Sequence, residues 1–323
     1  MKTEHDFRRI DNKAVPAINN EIRAFMVARN ERLRLPAVLD HHRMLGIDRF
    51  FIVDNDSADG TAEFLLEQPD VHVFQTRDSF SSSQCGYAWT NTLLEVFGTG
   101  GWCLTIDADE QFIYPDYENV NIHALCDILD RSGSRGLFTI FLDMYSDRPI
   151  RDTSYRPGDV LMDICPFFDA ASYRCVNTEN FPSLQVYGGV RERVFWNGSD
   201  GGHPPTLSQV PLVRWQRGTR YLLCRHAMTP VPIAPITGVL LHYKFLFDFH
   251  ERAKREAGRG EHFAGGREYK EYARVLDREG SLCLKTDQSF RFTGSAQLGE
   301  MGLMSRSLSV GPGIGAPHQI RSE

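Results

Sequence analysis

Gly101–Pro115, GWCLTIDADEQFIYP, is the stretch whose reading decides the fold. Its apolar run, Trp102–Ile106, ends in Asp107-Ala108-Asp109-Glu110. A short apolar run with a turn-prone exit reads as a buried strand. Side chains alternate along a strand, so Asp107 and Asp109 point the same way. Two carboxylates facing one way at a strand's carboxyl end form a hard-oxygen site. Such a site suits Mg²⁺ or Mn²⁺, which prefer oxygen ligands and share them with substrate phosphates. The same tripeptide also fits a solvated acidic loop after a core strand, and short motifs of this kind recur by chance. The chain before it decides between the two.

Working back from Gly101, strands and helices alternate. Ile22–Ala28 reads as a strand, and Leu33–Leu45 as a helix with Leu35, Val38, Leu39 and His42 on one face and Gly46 as its stop. Arg49–Val53 is a second strand, Thr61–Glu67 a short helix capped by Ser57 or Asp59, and Val71–Gln75 a third strand. Gln84–Phe97 is a helix leading into the fourth strand at Trp102. This alternation predicts an α/β fold with a mostly parallel central sheet flanked by helices. Ligands bind at the carboxyl ends of strands in such sheets, so Ala28–Glu31, Asp54–Asp59 and Asp107–Asp109 share one rim.

Working forward, the pattern loosens. Asn121–Arg131 reads as a helix and Gly136–Leu142 as a strand. Residues 143–235 are rich in Gly, Pro and aromatics and read as irregular. GVLLHYKFL, Gly238–Leu246, is another strand-like run, followed by helices at Phe247–Gly258 and Glu268–Asp277. From about Phe292 the Gly/Ser/Pro-rich chain is expected to be disordered or loosely packed.

The 323 residues carry a net charge of −6. That balance gives no global electrostatic case for a nucleic-acid partner. No apolar run approaches the roughly 18 residues of a membrane span, and MKTEHDFRRIDNKAVP has no apolar core of a secretory signal. The seven cysteines are scattered, odd in number and free of CxxC pairs. This argues against a zinc ribbon or a disulfide scaffold and fits a reduced, cytoplasmic compartment.

VARNERLRLPAVLDHHRMLGIDRFFIVDNDSADGT followed by WCLTIDADEQF resembles the family 2 glycosyltransferases of GT-A fold, in the branch related to family 92. The resemblance is carried by residues 22–115 and continues more weakly through GGVRERVFW (Gly188–Trp196) and LLHYKF (Leu240–Phe245). It implies a single catalytic domain over residues 21–290, after a polar arm (1–20) and before a tail (291–323). Residues 21–120 would bind the nucleotide and 121–290 the acceptor. It also implies transfer of a sugar, with inversion, from a nucleotide-diphosphate donor to a saccharide or glycoconjugate acceptor, with Mn²⁺ or Mg²⁺ on the diphosphate.

Carried over by residue, Arg29, Asn30 and Glu31 border the nucleotide, and Asp54 contacts base or ribose. Asp107 lies nearer the ribose and donor sugar and Asp109 on the metal, with Glu110 the acid that often follows. His242 resembles the late histidine that completes the metal site, and Lys244 on the same strand face would contact the diphosphate. A histidine on an apolar strand is equally a packed core residue.

An acceptor hydroxyl needs a general base, in most such enzymes a carboxylate. No Glu-Asp pair of the better-known family members is matched. Asp143, Asp163, Asp169 and Glu192 are the candidates, Asp143 having the best strand-exit placement. Arg191 and Arg193 are read as phosphate, acceptor or surface ion-pair residues, and His41 and His42 as packing residues. The basic stretch KFLFDFHERAKREAGR suggests peripheral contact with an anionic membrane face, but its interspersed acids favour a solvated helix.

Two rivals have different sequence signatures. A haloacid-dehalogenase-type phosphatase also carries DxD after a strand, but wants Thr or Val where Gln111 stands and has the motif on its first strand. A non-catalytic glycan- or nucleotide-binding protein with a decayed site is opposed by the intact Asp54, Asp107 and Asp109. An EF-hand loop at Asp54 fails on Ala58 and Leu65.

Overall fold

A computed structural model describes residues 7–18, 20–197, 203–222 and 225–308. In chain order the elements are β1 (Phe7–Arg9), β2 (Arg23–Ala28), α1 (Leu35–Leu45), β3 (Arg49–Asp54), α2 (Thr61–Glu67), β4 (Val71–Thr76), α3 (Tyr87–Phe97), β5 (Trp102–Thr105), β6 (Glu110–Ile113), α4 (Ile122–Arg131) and β7 (Gly136–Asp143). They continue with α5 (Leu161–Ile164), β8 (Phe167–Asp169), β9 (Arg174–Asn177), β10 (Leu184–Tyr187), β11 (Ser208–Arg214), β12 (Ile233–His242), α6 (Phe249–Arg259), α7 (Phe263–Glu279), β13 (Ser289–Arg291) and α8 (Ser295–Glu300). A π-turn spans Arg191–Trp196.

The expected α/β architecture is present. A nine-stranded sheet has the order β1-β4-β3-β2-β5-β11-β7-β12-β6. β2, β3, β4, β5, β7 and β12 point one way, while β1, β11 and β6 run against them. The β4-β3-β2-β5 block is parallel throughout, and its strand order reverses between β2 and β5, where a crevice opens at the carboxyl edge.

Alternation along β2 explains the layering. Ala24, Met26 and Ala28 face a cluster with Leu35, Val38 and Leu39 of α1, Leu65 of α2 and Leu125 and Leu129 of α4. Phe25 faces the opposite cluster with Trp89, Leu93 and Leu94 of α3. A further aromatic layer packs α6 and α7 over the π-turn through Phe195, Phe249 and Tyr272.

Four features depart from the sequence expectations. First, β11 lies in the middle of the sheet, inside the stretch read as irregular. Its Pro211 has no N–H to donate, and its ladder with β7 shifts register between Gln209 and Leu212. Second, the chain turns back after Asp109 into β6, which pairs antiparallel with β12. Third, Gly60 caps α2 with no side-chain bond, while Asp59 accepts from the Thr61 N–H at 3.0 Å. Fourth, the region expected to be loose from Phe292 packs instead. α8 and Leu298, Leu303 and Met304 join a buried cluster, while residues 309–323 lie outside the described residues. The amino-terminal arm contributes β1, paired to β4.

Candidate active site

Strand register assembles the site. β2, β3, β5, β7 and β12 all end on one rim. β12 pairs with β7 on one side and β6 on the other, so His242 stands in register with Asp143 and with Glu110. A cavity of about 600 Å³ opens there. Of the residues expected from sequence, Arg29, Glu31, Asp107, Asp109, Glu110, His242 and Lys244 line it.

The centre of the wall is a chain of charges. His242 Nδ1 lies 2.6 Å from Asp143 Oδ1 and 2.8 Å from the Arg191 guanidinium, and the charge of Asp109 and the bonds to Asp109 and Asp143 raise the ring against burial. Its Nε2 faces Asp109 Oδ2 at 3.5 Å. Burial disfavours the Asp109 anion, but the charges of His242 and Arg252 outweigh it and hold its carboxyl well below the usual range. Arg252, on α6, reaches Asp109 at 3.2 Å and Glu31 at 2.9 Å. Burial raises Glu31 to about 7 against the pull of Arg252 and Arg34. Asp107 is half exposed and paired with Arg225. Glu110 turns inward to accept from the Asp107 N–H at 2.9 Å, and burial together with the Asp107 charge raises it to about 8. Lys244 pairs with Glu268 at 3.1 Å.

The remaining expected residues lie outside the cavity wall. Asn30, at φ 53°, accepts from the Ala58 N–H at 2.8 Å and receives no place on the wall; it ties β2 to the next rim loop. Asp54 is fully buried, held by the Ser57 N–H and by Gln75, both at 3.3 Å, with Oδ1 lacking a partner among the described residues. Its neighbour Asn55 lines the cavity instead.

Asp143, the best-placed base candidate from sequence, is also behind the wall. Arg191 grips both its oxygens at 2.8 Å, and His242 takes a further bond. Glu192 pairs with Arg174 at 3.3 Å on the outside. Asp169 is held by Tyr145 and Arg193, and Asp163 is exposed. His41 and His42 pack as expected, each on a backbone carbonyl, at 2.8 Å to Phe112 and 2.7 Å to Val38.

Sequence reading missed the arginines. Arg252 lies in the helix read as solvated, yet shares a face with the buried Phe249 and Glu256, three residues before it and four after. That spacing was the available signal. Arg225 and His226 carried none, because the surrounding chain has no periodic pattern.

Among the described residues no three His, Cys, Asp or Glu side chains converge as a complete ligand set for a divalent ion. Two do fit. Deprotonated, as a ligand must be, His242 would turn Nε2 toward the Asp109 carboxylate with Asp143 behind Nδ1. The 3.5 Å separation falls within the roughly 3.0–3.5 Å expected for two ligands sharing one ion at about 2.1 Å. Mg²⁺ and Mn²⁺ take one or two protein groups and complete their shell with phosphate oxygens, so a pair of this kind suffices.

No family model matches the sequence, and no curated protein does. Among solved structures the chain is similar to S. aureus TarS, at 14% identity and a TM-score of 0.30 over 44% of this chain and 29% of that one. It is similar to UDP-glucose pyrophosphorylase from Acinetobacter baumanii, at 8% identity and a TM-score of 0.26 over 41% of this chain and 59% of that one. It is also similar to a Bacillus anthracis protein assigned as a glucose-1-phosphate thymidylyltransferase and solved with a sucrose, at 12% identity and a TM-score of 0.32 over 78% and 83%. The chain thus spans less than two thirds of the first two, and likeness at this level identifies neither a family nor an activity.

Proposed function

We propose that this protein transfers a sugar from a nucleoside-diphosphate donor to a saccharide or glycoconjugate hydroxyl, with a divalent metal on the diphosphate. The observation that carries this reading is the Asp109–His242 pair, buttressed by Asp143. The pair lies where β12 meets β6, on the wall of the cavity. Asp109 and His242 would hold the ion, with Asp107 beside it toward the donor sugar. When bound, the ion neutralises negative charge developing on the leaving diphosphate.

The chain's own cations share that task. Lys244, Arg225 and Arg252 line the same cavity, and fixed positive groups aimed at a leaving phosphate lower its barrier. Among the described residues Arg252 NH1 is buried without a partner, as a donor awaiting an anion would be. Glu31 and Arg29 border the nucleotide end. A family 2, GT-A-type enzyme is the reading consistent with these roles.

The test is release of nucleoside diphosphate from UDP-glucose and GDP-mannose by the full chain, with Mn²⁺, with EDTA, and with Mn²⁺ restored. Turnover of one donor that EDTA abolishes and Mn²⁺ restores is the expected result. Nucleotide binding without turnover would instead favour a binding protein.

A further inference from the structure

The proposed reaction leaves the acceptor proton without a destination. Six carboxylates line the cavity, and each is already engaged. Glu31 holds Arg252, Asp107 holds Arg225, Asp109 holds Arg252 and His242, and Glu110 accepts from the Asp107 backbone. Glu256 holds Arg259 and His262, and Glu268 takes Lys244 and Tyr272. Their partners hold Asp109, Glu256 and Glu268 below the usual carboxylate range, Glu110, raised to about 8, already carries a proton near neutral pH, and Glu31, raised to about 7, is locked between Arg252 and Arg34.

Four histidines line the cavity as well. His242 faces Asp109, His262 contacts Glu256, and His203 is exposed. His226 differs. Its Nδ1–H donates to the Ser208 carbonyl at 2.9 Å, and its ring packs edge-on to Phe141 with centroids 6.3 Å apart. A carbonyl can only accept, so Nδ1 carries the proton and the Nε2 lone pair is left for the cavity. Phe141 also packs edge-on against His242, centroids 5.7 Å apart, so one ring separates the metal-ligand histidine from His226.

A second observation points to a ligand at the same place. Gln209 follows Ser208 on β11, lines the cavity and is 1% exposed, yet its Nε2 has no partner among the described residues. A buried amide donor without an acceptor is uncommon unless a ligand supplies one.

We propose that His226 is the general base and that Gln209 donates to the same acceptor oxygen; this rests on the transferase reading above. The acceptor oxygen forms a bond to the anomeric carbon as the bond from that carbon to the diphosphate breaks, its electron pair leaving with the nucleotide. The acceptor proton passes to Nε2 of His226, and the imidazolium later returns it to solvent. The charged groups facing His226 are Arg225, Arg191 and Glu268, and burial with these two arginines keeps the ring neutral down to about pH 4.

The test uses water as acceptor and UDP-glucose and GDP-mannose as donors. His226→Asn keeps a donor for Ser208 but has no lone pair at Nε2, and His226→Ala leaves room for added imidazole. The expected result is a loss of turnover of about 100-fold or more in both variants. Calorimetric UDP or GDP binding should stay within about twofold, and imidazole should restore turnover in His226→Ala only. Wild-type turnover in His226→Asn overturns the assignment, as does loss of turnover together with nucleotide binding. Wild-type protein that neither binds nucleotide nor turns over donor overturns the transferase reading, and the base with it.

Discussion

Asp143 shows how a residue can be well placed and still serve another purpose. Its position at the exit of β7 makes it a base candidate from sequence. Register with β12 puts it opposite His242 instead, and Arg191 occupies its other face. A carboxylate behind a ligating histidine fixes the tautomer and raises the ring's basicity. Asp143→Asn keeps the shape and removes the charge. Its Mn²⁺ affinity in the presence of saturating nucleotide should fall about 10–100-fold, with metal-free nucleotide binding unchanged. Titration of Mn²⁺ into the nucleotide complex measures this, and unchanged affinity would remove Asp143 from that role.

At the scale of elements, the first hundred residues were legible because each strand and helix has its own period and stop. β2, α1, β3, α2, β4 and α3 fall within a few residues of their expected bounds. β11 was not legible. Buried on both faces and interrupted by Pro211, it has neither alternation nor an unbroken apolar run. The α6–α7 connection was equally hidden. In the first turn of α7, Ala264, Gly265 and Gly266 take left-handed conformations in succession, and just before it Glu261 accepts from Ser79 and Ser81 at 2.6 and 2.9 Å.

Glu256 anchors this connection through Arg259 and His262. Burial opposes its charge, but the His262 hydrogen bond and the Arg259 charge prevail and lower it from 4.5 to about 2. A depressed carboxyl stabilises the fold above its unfolded pKa and loses that contribution as pH falls toward the folded one. Glu256→Gln should therefore be less stable than wild type at neutral pH, with the gap closing from pH 4.5 toward 2. Urea unfolding of both proteins across that range reads it, and a gap that stays constant would contradict the assignment.

For the whole molecule, sheet order is what makes one site from distant sequence. Glu31, Asp109, His242 and Arg252 meet because β2 and β5 are neighbours and β12 carries the chain back to the same rim before α6. The acidic pair was readable from Asp107–Asp109 alone. The cations opposite it were not, since their place depends on long-range packing of α6 and of the segment around Arg225. Among the described residues no helix is long and apolar enough to cross a membrane, and α6 turns Arg252 into the cavity.

The central claim is that Asp109 and His242 form a divalent-ion site that a nucleoside diphosphate completes. Calorimetric titration of UDP, GDP and CMP into the full chain, with and without Mn²⁺ and repeated on Asp109→Ala, tests it most directly. One nucleoside diphosphate should bind tightly only with Mn²⁺, and the variant should lose that binding. Absence of nucleotide binding under every condition, or binding that neither Mn²⁺ nor Asp109→Ala alters, would contradict the account.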